Sequence, residues 1–183
     1  MRRSLLRDLC VLRIVVTAAI KFVPGAEYLS LNQSVEEFSA MLISQLDFER
    51  EADNLIQFSF NFRHWGSTVV FPTPLAKLSN KEVLVETFEF GEALSASKHQ
   101  DKELASIAPK MFMKMLFEDN FVHADLHPGN LLTRMKHKDG SVSLTRRDSS
   151  CVAQMVVLDP GLVTSLSPKE RENFVALFAC VAT

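Results

Sequence analysis

The sequence predicts an α+β fold, on three observations. Apolar residues recur at helical intervals along two stretches, Val35 to Ile56 and Leu104 to Leu116. Short β-branched or alternating runs lie between and after them: "TVVF" before Pro72, "EVLVETFEF" before Gly91 and "MVVLD" ending at Asp159. Helices and strands are mixed and do not alternate regularly, as a doubly wound parallel sheet would require.

Composition bounds the rest. A chain of 183 residues suits one domain, or one lobed domain, and 47% hydrophobic with 23% charged residues is the balance of a globular protein with a core. The net charge of −2, with no dense run of Lys and Arg, excludes a nucleic-acid binder of the usual electrostatic kind. Cys10, Cys151 and Cys180 are few, odd in number and without CxxC spacing, which argues for structural thiols in a reducing compartment, against a disulfide framework and against a zinc site.

Taken in order, "MRRSLLRDLCVLRIVVTAAIKF" is basic and amphipathic. That is also the composition of a mitochondrial presequence, but Asp8 interrupts it and the apolar spacing fits a packed helix. Its longest apolar run, Ile14 to Ile20, falls far short of the ~20 residues that span a bilayer. After Pro24-Gly25, "SVEE" offers a capping box in which Ser34 and Glu37 start a helix. Val35, Phe38, Leu42, Leu46, Leu55 and Ile56 continue its apolar stripe, with Asp47 placed to cap a second helix and bend the run, which ends near Trp65-Gly66. "TVVF" and "EVLVETFEF" should pair as a hairpin.

Asp101 to Asn120 returns to helix, and its stripe of Leu104, Ile107, Ala108, Met111, Met115 and Leu116 reads as core. Residues 133–154 are polar and Ser-rich, with Asp139-Gly140 as a turn that can close a hairpin; a mobile, solvated insert is expected, and contact of its Lys and Arg with an anionic membrane is the alternative. "SPKE" then opens the last helix, with Ser167 as N-cap, Pro168 at the first helical position and Glu170 closing a capping box.

The chemistry concentrates in "FVHADLHPGNLL", Phe121 to Leu132. As a metal centre it is weak: Pro128-Gly129 turns the chain at once, and His64, His99 and His137 form no second ligand motif. Phosphoryl transfer explains more. Asp125 and Asn130 stand five apart, and a later strand delivers Asp159 followed by Gly161. In kinase-type catalysis the first Asp orients the nucleophile or takes its proton, while the Asn and the second Asp hold Mg²⁺ against the nucleotide phosphates with hard oxygen ligands. Turn formation alone accounts for each residue singly and leaves the spaced set unexplained.

Together "FVHADLHPGN", "LDPG" and the upstream "QLDFEREADN" resemble the aarF-domain (ADCK, UbiB-like) family of atypical kinases, from about residue 5 to the C-terminus. "FPTPL", "EVLVETFE" and the insert before Asp159 place the nearest resemblance in the aarF domain-containing protein kinase two subgroup. The resemblance implies an atypical protein-kinase-like fold with a partial N-lobe and a helical C-lobe core. Residues 1–66 would be the family's N-terminal helices, 67–90 N-lobe strands and hinge, and 91–183 the C-lobe with its catalytic loop, insert and Asp-Pro-Gly motif.

It further implies ATP and Mg²⁺ as cofactors: Asp125 and His123 in the catalytic set, His123 holding the loop; Asn130 and Asp159 on the metal; Glu51, Asp47, Glu86 and Phe88 in cofactor binding, Glu51 as partner of the ATP-binding Lys. The implied role is in coenzyme Q biosynthesis or mitochondrial lipid metabolism. Its partners would be a nucleotide, a small-molecule or lipid substrate, coenzyme Q biosynthesis proteins and a membrane surface.

The sequence departs from the family at several points. The family's Glu-x-Asp pair is here Gln45 and Asp47, and the glycines at 25, 66, 91, 129, 140 and 161 form no phosphate-covering loop. The family's Lys and KxGQ segment would fall before Met1, so the chain is expected to be a fragment. Ala124 stands where typical kinases carry an Arg that pairs with a phosphorylated activation loop, and Pro160 stands in place of the DFG Phe. Only five residues separate Gly161 from Ser167, too few to lay out a peptide, which favours a small-molecule acceptor or ATP hydrolysis. Two other classes fit the same loop: an aminoglycoside- or choline-kinase-like phosphotransferase, and a nucleotide-binding pseudokinase or scaffold.

Overall fold

The computed structural model describes residues 2–22, 30–66, 68–96, 102–145 and 151–182. Its helices are α1 (Arg2–Phe22), α2 (Leu31–Ser44), α3 (Phe48–Asn61), α4 (Lys102–Met113) and α5 (Pro168–Ala182); its strands are β1 (Val69–Val70), β2 (Glu92–Ala93), β3 (Val122–His123), β4 (Leu131–Lys136), β5 (Val142–Ser143), β6 (Val152–Val157) and β7 (Val163–Thr164). Among the described residues no helix is long and apolar enough to cross a membrane.

The N-terminal helix packs as a helix. It buries Leu9 and pairs Arg13 with Glu36 of α2 at 2.7 Å. The next helix begins earlier than its capping pattern predicts: Leu31 opens it after Ser30, and Ser34 lies in its first turn, donating its N–H to the Ser30 carbonyl at 3.1 Å. Glu37 accepts from Gln33 one turn before it at 2.8 Å, so a Ser/Glu pair three apart also fits a helix interior. At Asp47 the chain turns extended and α3 starts, giving the expected bend without a side-chain cap bond.

One face of α3 carries Glu51, Leu55, Phe58 and Phe62, at spacings of three and four. Its apolar members seat the helix. Phe58 is fully buried, with ring centroids 5.1 Å from Phe71 and 4.7 Å from Phe121, and Phe62 lies 5.4 Å from Phe71. Burying one such ring contributes roughly 1.5–3 kcal/mol.

The five-stranded sheet runs β1-β6-β4-β2, with β5 paired to β4. β4 and β6 are antiparallel from Leu131↔Val157 to Lys136↔Val152, whereas β1 is parallel to β6. The "TVVF" run therefore joins β6 and not its sequence neighbour. Residues 73–87 fold on themselves through isolated bridges, Pro74↔Glu86 and Asn80↔Val83. Pro72 and Pro74 have no N–H to extend a ladder there.

The described part of the expected mobile insert contributes to three strands. Residues 133–136 complete β4, the Asp139-Gly140 turn closes β4 on β5, and 152–154 open β6; residues 146–150 lie outside the description. Arg134 is buried, its guanidinium donating to Gln154 at 2.6 Å, Glu89 at 2.8 Å and the Phe90 carbonyl at 2.9 Å. This polar stretch is ordered by partners, and Arg134 is committed within the fold.

Leu104, Ile107, Met111, Met115 and Leu116 are buried as their stripe predicts. Asp101 lies outside the described residues, and α4 passes into a π-turn at Lys114–Glu118 before the chain enters β3. β3 pairs with β7 as a separate two-stranded sheet, setting His123 opposite Val163. At α5 the capping box is complete: Glu170 accepts from the Ser167 N–H at 2.8 Å, and the Ser167 hydroxyl accepts from the Glu170 N–H at 3.3 Å.

Candidate active site

β3 ends at His123, and Ala124-Asp125 turn out of it. The Ala124 N–H donates to the Leu162 carbonyl at 2.9 Å, so the loop is fastened to the segment after Gly161. Further on, the His127 ring accepts the Gly129 N–H at 3.0 Å and shapes the Pro128-Gly129 turn. His123, Asp125 and His127 thus share no strand face, and a metal centre on them has no geometric basis.

Asn130 closes the loop. Its side-chain nitrogen donates to the Asp125 carbonyl at 3.1 Å, which leaves the amide oxygen available as an acceptor. Its own carbonyl accepts the Leu158 N–H at 2.8 Å, and Leu158 immediately precedes Asp159. β4 leaves from Asn130 and β6 arrives at Asp159, so the central antiparallel pair of the sheet delivers both side chains to one end.

Buried His123 bridges the same two segments. One ring nitrogen, Nε2, lies 3.1 Å from the Leu158 carbonyl, and the other, Nδ1, accepts the Asp125 N–H at 3.2 Å. A carbonyl only accepts and an N–H only donates, so Nε2 carries the proton and the ring is neutral. Burial accordingly lowers its pKa below the usual histidine value, against opposing contributions from the Leu158 bond and the Asp159 and Asp125 charges. His123 ties the Asp125 loop to the Asp159 strand and holds no proton for exchange.

Glu51 reaches toward Asp159 from α3, and both carboxyl groups lie against Gly161. The Glu51 pKa is raised to about 7, first by burial, then by the charges of Asp159 and Glu86. Glu86 is itself raised, by burial and then by Asp159 and Glu89. Among the described residues no Lys or Arg lies within ion-pair distance of these carboxylates other than Arg134 on Glu89. No three His, Cys, Asp or Glu side chains among the described residues group as a metal site; the Asp159 carboxylate with the Asn130 amide oxygen is a hard-oxygen pair that would suit a divalent cation such as Mg²⁺.

Two backbone features support the cluster. Asp159 has φ 53°, a left-handed conformation uncommon for a side-chain-bearing residue and frequent at functional sites. Gly161 lies so close that an added Cβ would stand 3.3 Å from Asp159 Oδ1 and 3.5 Å from Glu51 Oε2. Asn54, one turn beyond Glu51, donates to the Pro160 carbonyl at 2.7 Å and pins α3 to the Asp-Pro-Gly turn. Asn54 carried no role in the sequence reading, and its only signal was its place in "QLDFEREADN".

The remaining candidates stand apart. Asp47 sits at the N-cap of α3, its Oδ1 buried without a hydrogen-bond partner among the described residues. The Phe88 ring is 91% exposed. A 240 Å³ cavity opens beside Gly161, lined by Arg50, Asn54, Phe121 and residues 162–165.

The chain matches the ABC1 atypical kinase-like domain over residues 1–183. It is 42% identical over 130 residues to the Dictyostelium discoideum protein named "Probable serine/threonine-protein kinase abkC", covering 69% of this chain and 19% of that one. It is 34% identical to the Saccharomyces cerevisiae "ABC1 family protein YPL109C, mitochondrial", covering 99% and 33%. To the Vibrio vulnificus "Probable protein kinase UbiB" it is 30% identical, covering 93% and 31%. The chain thus spans between 19% and 33% of the length of these relatives. A solved structure, the complex of Rv3197 with erythromycin from Mycobacterium tuberculosis, superposes with a TM-score of 0.59 at 21% identity, covering 88% of this chain and 37% of that one.

Proposed function

Because the chain belongs to the ABC1 atypical kinase-like family (aarF/UbiB), whose fold is α+β and kinase-like, we propose that it holds Mg·ATP between Asn130, Asp159 and Asp125 and supports phosphoryl transfer or ATP hydrolysis. One observation supports the reading: the Leu158 N–H to Asn130 carbonyl bond, which brings Asn130, itself bonded to the Asp125 carbonyl, beside the residue that precedes Asp159. Mg²⁺ supplies charge neutralisation of the phosphate oxygens.

Each residue has a separate task. Asp159 and Asn130 offer the metal oxygens, one charged and one neutral. Asp125, exposed on its turn, orients the acceptor hydroxyl or water and takes its proton. His123 keeps that turn in register. Glu51 faces the site with a carboxyl that loses its proton when a cation arrives, a Lys ammonium by family analogy. Glu86 and Phe88 are assigned to the nucleotide on the same analogy.

The acceptor is a small molecule or lipid head. β7 is fastened to β3, and the stretch between Gly161 and Ser167 is taken up in that pairing, with no free segment to hold a peptide. The mitochondrial and UbiB names among the relatives favour a mitochondrial setting and a role in ubiquinone biosynthesis. Calorimetry with Mg·ATP on wild type and Asp159→Asn tests the metal assignment. Wild type should bind and the variant should lose most of its affinity; equal affinities would sink the assignment.

A further inference from the structure

A second nucleophile–base pair lies at the far end of the sheet, away from the nucleotide site. Cys151 is 4% exposed, and its Sγ stands 2.8 Å from Nδ1 of His137, itself 8% exposed. The other ring nitrogen, Nε2, is 2.7 Å from the Ser143 hydroxyl, which donates to the Thr145 carbonyl at 2.6 Å.

These bonds fix where the protons are. The Thr145 carbonyl can only accept, so the single Ser143 hydroxyl proton is committed to it, and Ser143 Oγ accepts from the imidazole. The His137 proton is therefore on Nε2. Its Nδ1 lone pair faces the sulfur, and the Cys151 S–H donates to it. Thiol, base and a third group orienting the base stand in line, the arrangement that activates a nucleophile.

The fold builds this set from separate strands. His137 follows β4 and is held by the hairpin, accepting the Gly140 N–H at 3.0 Å and donating its own N–H to Ser141 at 2.9 Å. Cys151 precedes β6, whose Val152 pairs with Lys136, so sheet register brings Cys151 beside His137. Neither residue belongs to the nucleotide machinery.

We propose that Cys151 is a modification site for a small hydroperoxide oxidant, with His137 as its base. Burial selects the class: with Cys151 4% and His137 8% exposed, bulky electrophiles are shut out and an oxidant near the size of water, such as hydrogen peroxide, is what the site would take. The thiol proton passes to His137 Nδ1 and the sulfur attacks one peroxide oxygen. The S–O bond forms as the O–O bond breaks, and the departing oxygen takes the proton from Nδ1 and leaves as water when the oxidant is hydrogen peroxide, or as an alcohol from an organic hydroperoxide. Sulfur loses two electrons to become a sulfenic acid, and the peroxide gains them.

The test uses the whole chain, treated with hydrogen peroxide, quenched with catalase, then unfolded in guanidinium with dimedone and mapped by mass spectrometry. Cys10 and Cys180, both exposed, are controls within the same molecule. Cys151 should be labelled at least ~10-fold faster than either, and His137→Gln should slow it by ~10²-fold, the lower range of a general-base contribution. Ser143→Ala, at a half-buried position tolerant of truncation, should slow it too and decides the matter if His137→Gln does not fold. Labelling of Cys151 no faster than Cys10 and Cys180, or at the wild-type rate in folded Ser143→Ala, would overturn the proposal.

Discussion

The carboxyl groups of Glu51 and Asp159, brought together from α3 and from the end of β6, close on the same point: a Cβ added at Gly161 would stand 3.3 Å from Asp159 Oδ1 and 3.5 Å from Glu51 Oε2. Burial, and after it the charges of Asp159 and Glu86, raises the Glu51 pKa to about 7. The folded state therefore binds more protons than the unfolded chain between the ordinary glutamate range and about 7. Stability from this group is fully present below the unfolded pKa and is lost as pH rises through about 7. Glu51→Gln keeps a donor toward Asp159 and removes the titration. The variant should be more stable than wild type at pH 8, with little difference at pH 4.5. Denaturant midpoints at the two pH values measure it, and equal midpoints at pH 8 would refute it.

His123 titrates in the opposite sense. Its folded pKa is lowered by burial, so its contribution is present above the ordinary histidine value and is lost as pH falls through the folded pKa. His123→Ala should remove that acid limb. It also leaves the Leu158 carbonyl and the Asp125 N–H, both in part-buried bonds, without their ring partner, at a cost toward the lower end of about 1–3 kcal/mol for each. Thermal unfolding between pH 5 and 8 should show a lower, flatter curve. A variant as stable as wild type at pH 7 would show that the ring does not hold the loop.

Local spacing made Asp125, Asn130 and Asp159 legible, because one turn and one strand end fix where each side chain stands. The Glu51–Asp159 contact was not legible in that way. The α3 stripe shows which face is apolar, but only the packing of Phe58 on Phe71 and Phe121 aims that face at β6's end. Two misreadings have local causes. Ser34 and Glu37 match a capping box and a helix interior equally well, and Leu31 begins the helix. Arg134 looks like loop in the sequence; Glu89 and Gln154, distant along the chain, make its burial possible.

Gly161 tests how closely the acidic cluster is fitted. An alanine Cβ there would stand 3.3 Å from Asp159 Oδ1, tighter than an ordinary contact, so the Asp159 carboxylate must give by a few tenths of an ångström. The pressure falls on the Asp159 and Glu51 carboxyl oxygens and not on the core. Gly161→Ala should weaken Mg·ATP binding by calorimetry while the unfolding midpoint changes little. Unchanged affinity would show that the carboxylate has room to move.

Asp125 should matter for turnover more than for binding. Its backbone is held at both faces, the N–H by His123 and the carbonyl by Asn130, while its side chain remains exposed on the turn. Asp125→Asn preserves those backbone bonds and removes only the charge, so Mg·ATP affinity should stay within about a factor of three, consistent with loss of a group acting mainly in the transition state. A base contributes ~10²–10⁴-fold, and the rate of ATP hydrolysis or transfer should fall by at least ~10²-fold. The paired readouts separate this role from a metal-holding one. If Asp125→Asn lost affinity and rate together, as Asp159→Asn should, Asp125 would belong with the cation ligands. If it kept full turnover, proton transfer would have to be assigned elsewhere, and the neutral, buried His123 could not supply it without breaking its bonds to Leu158 and Asp125.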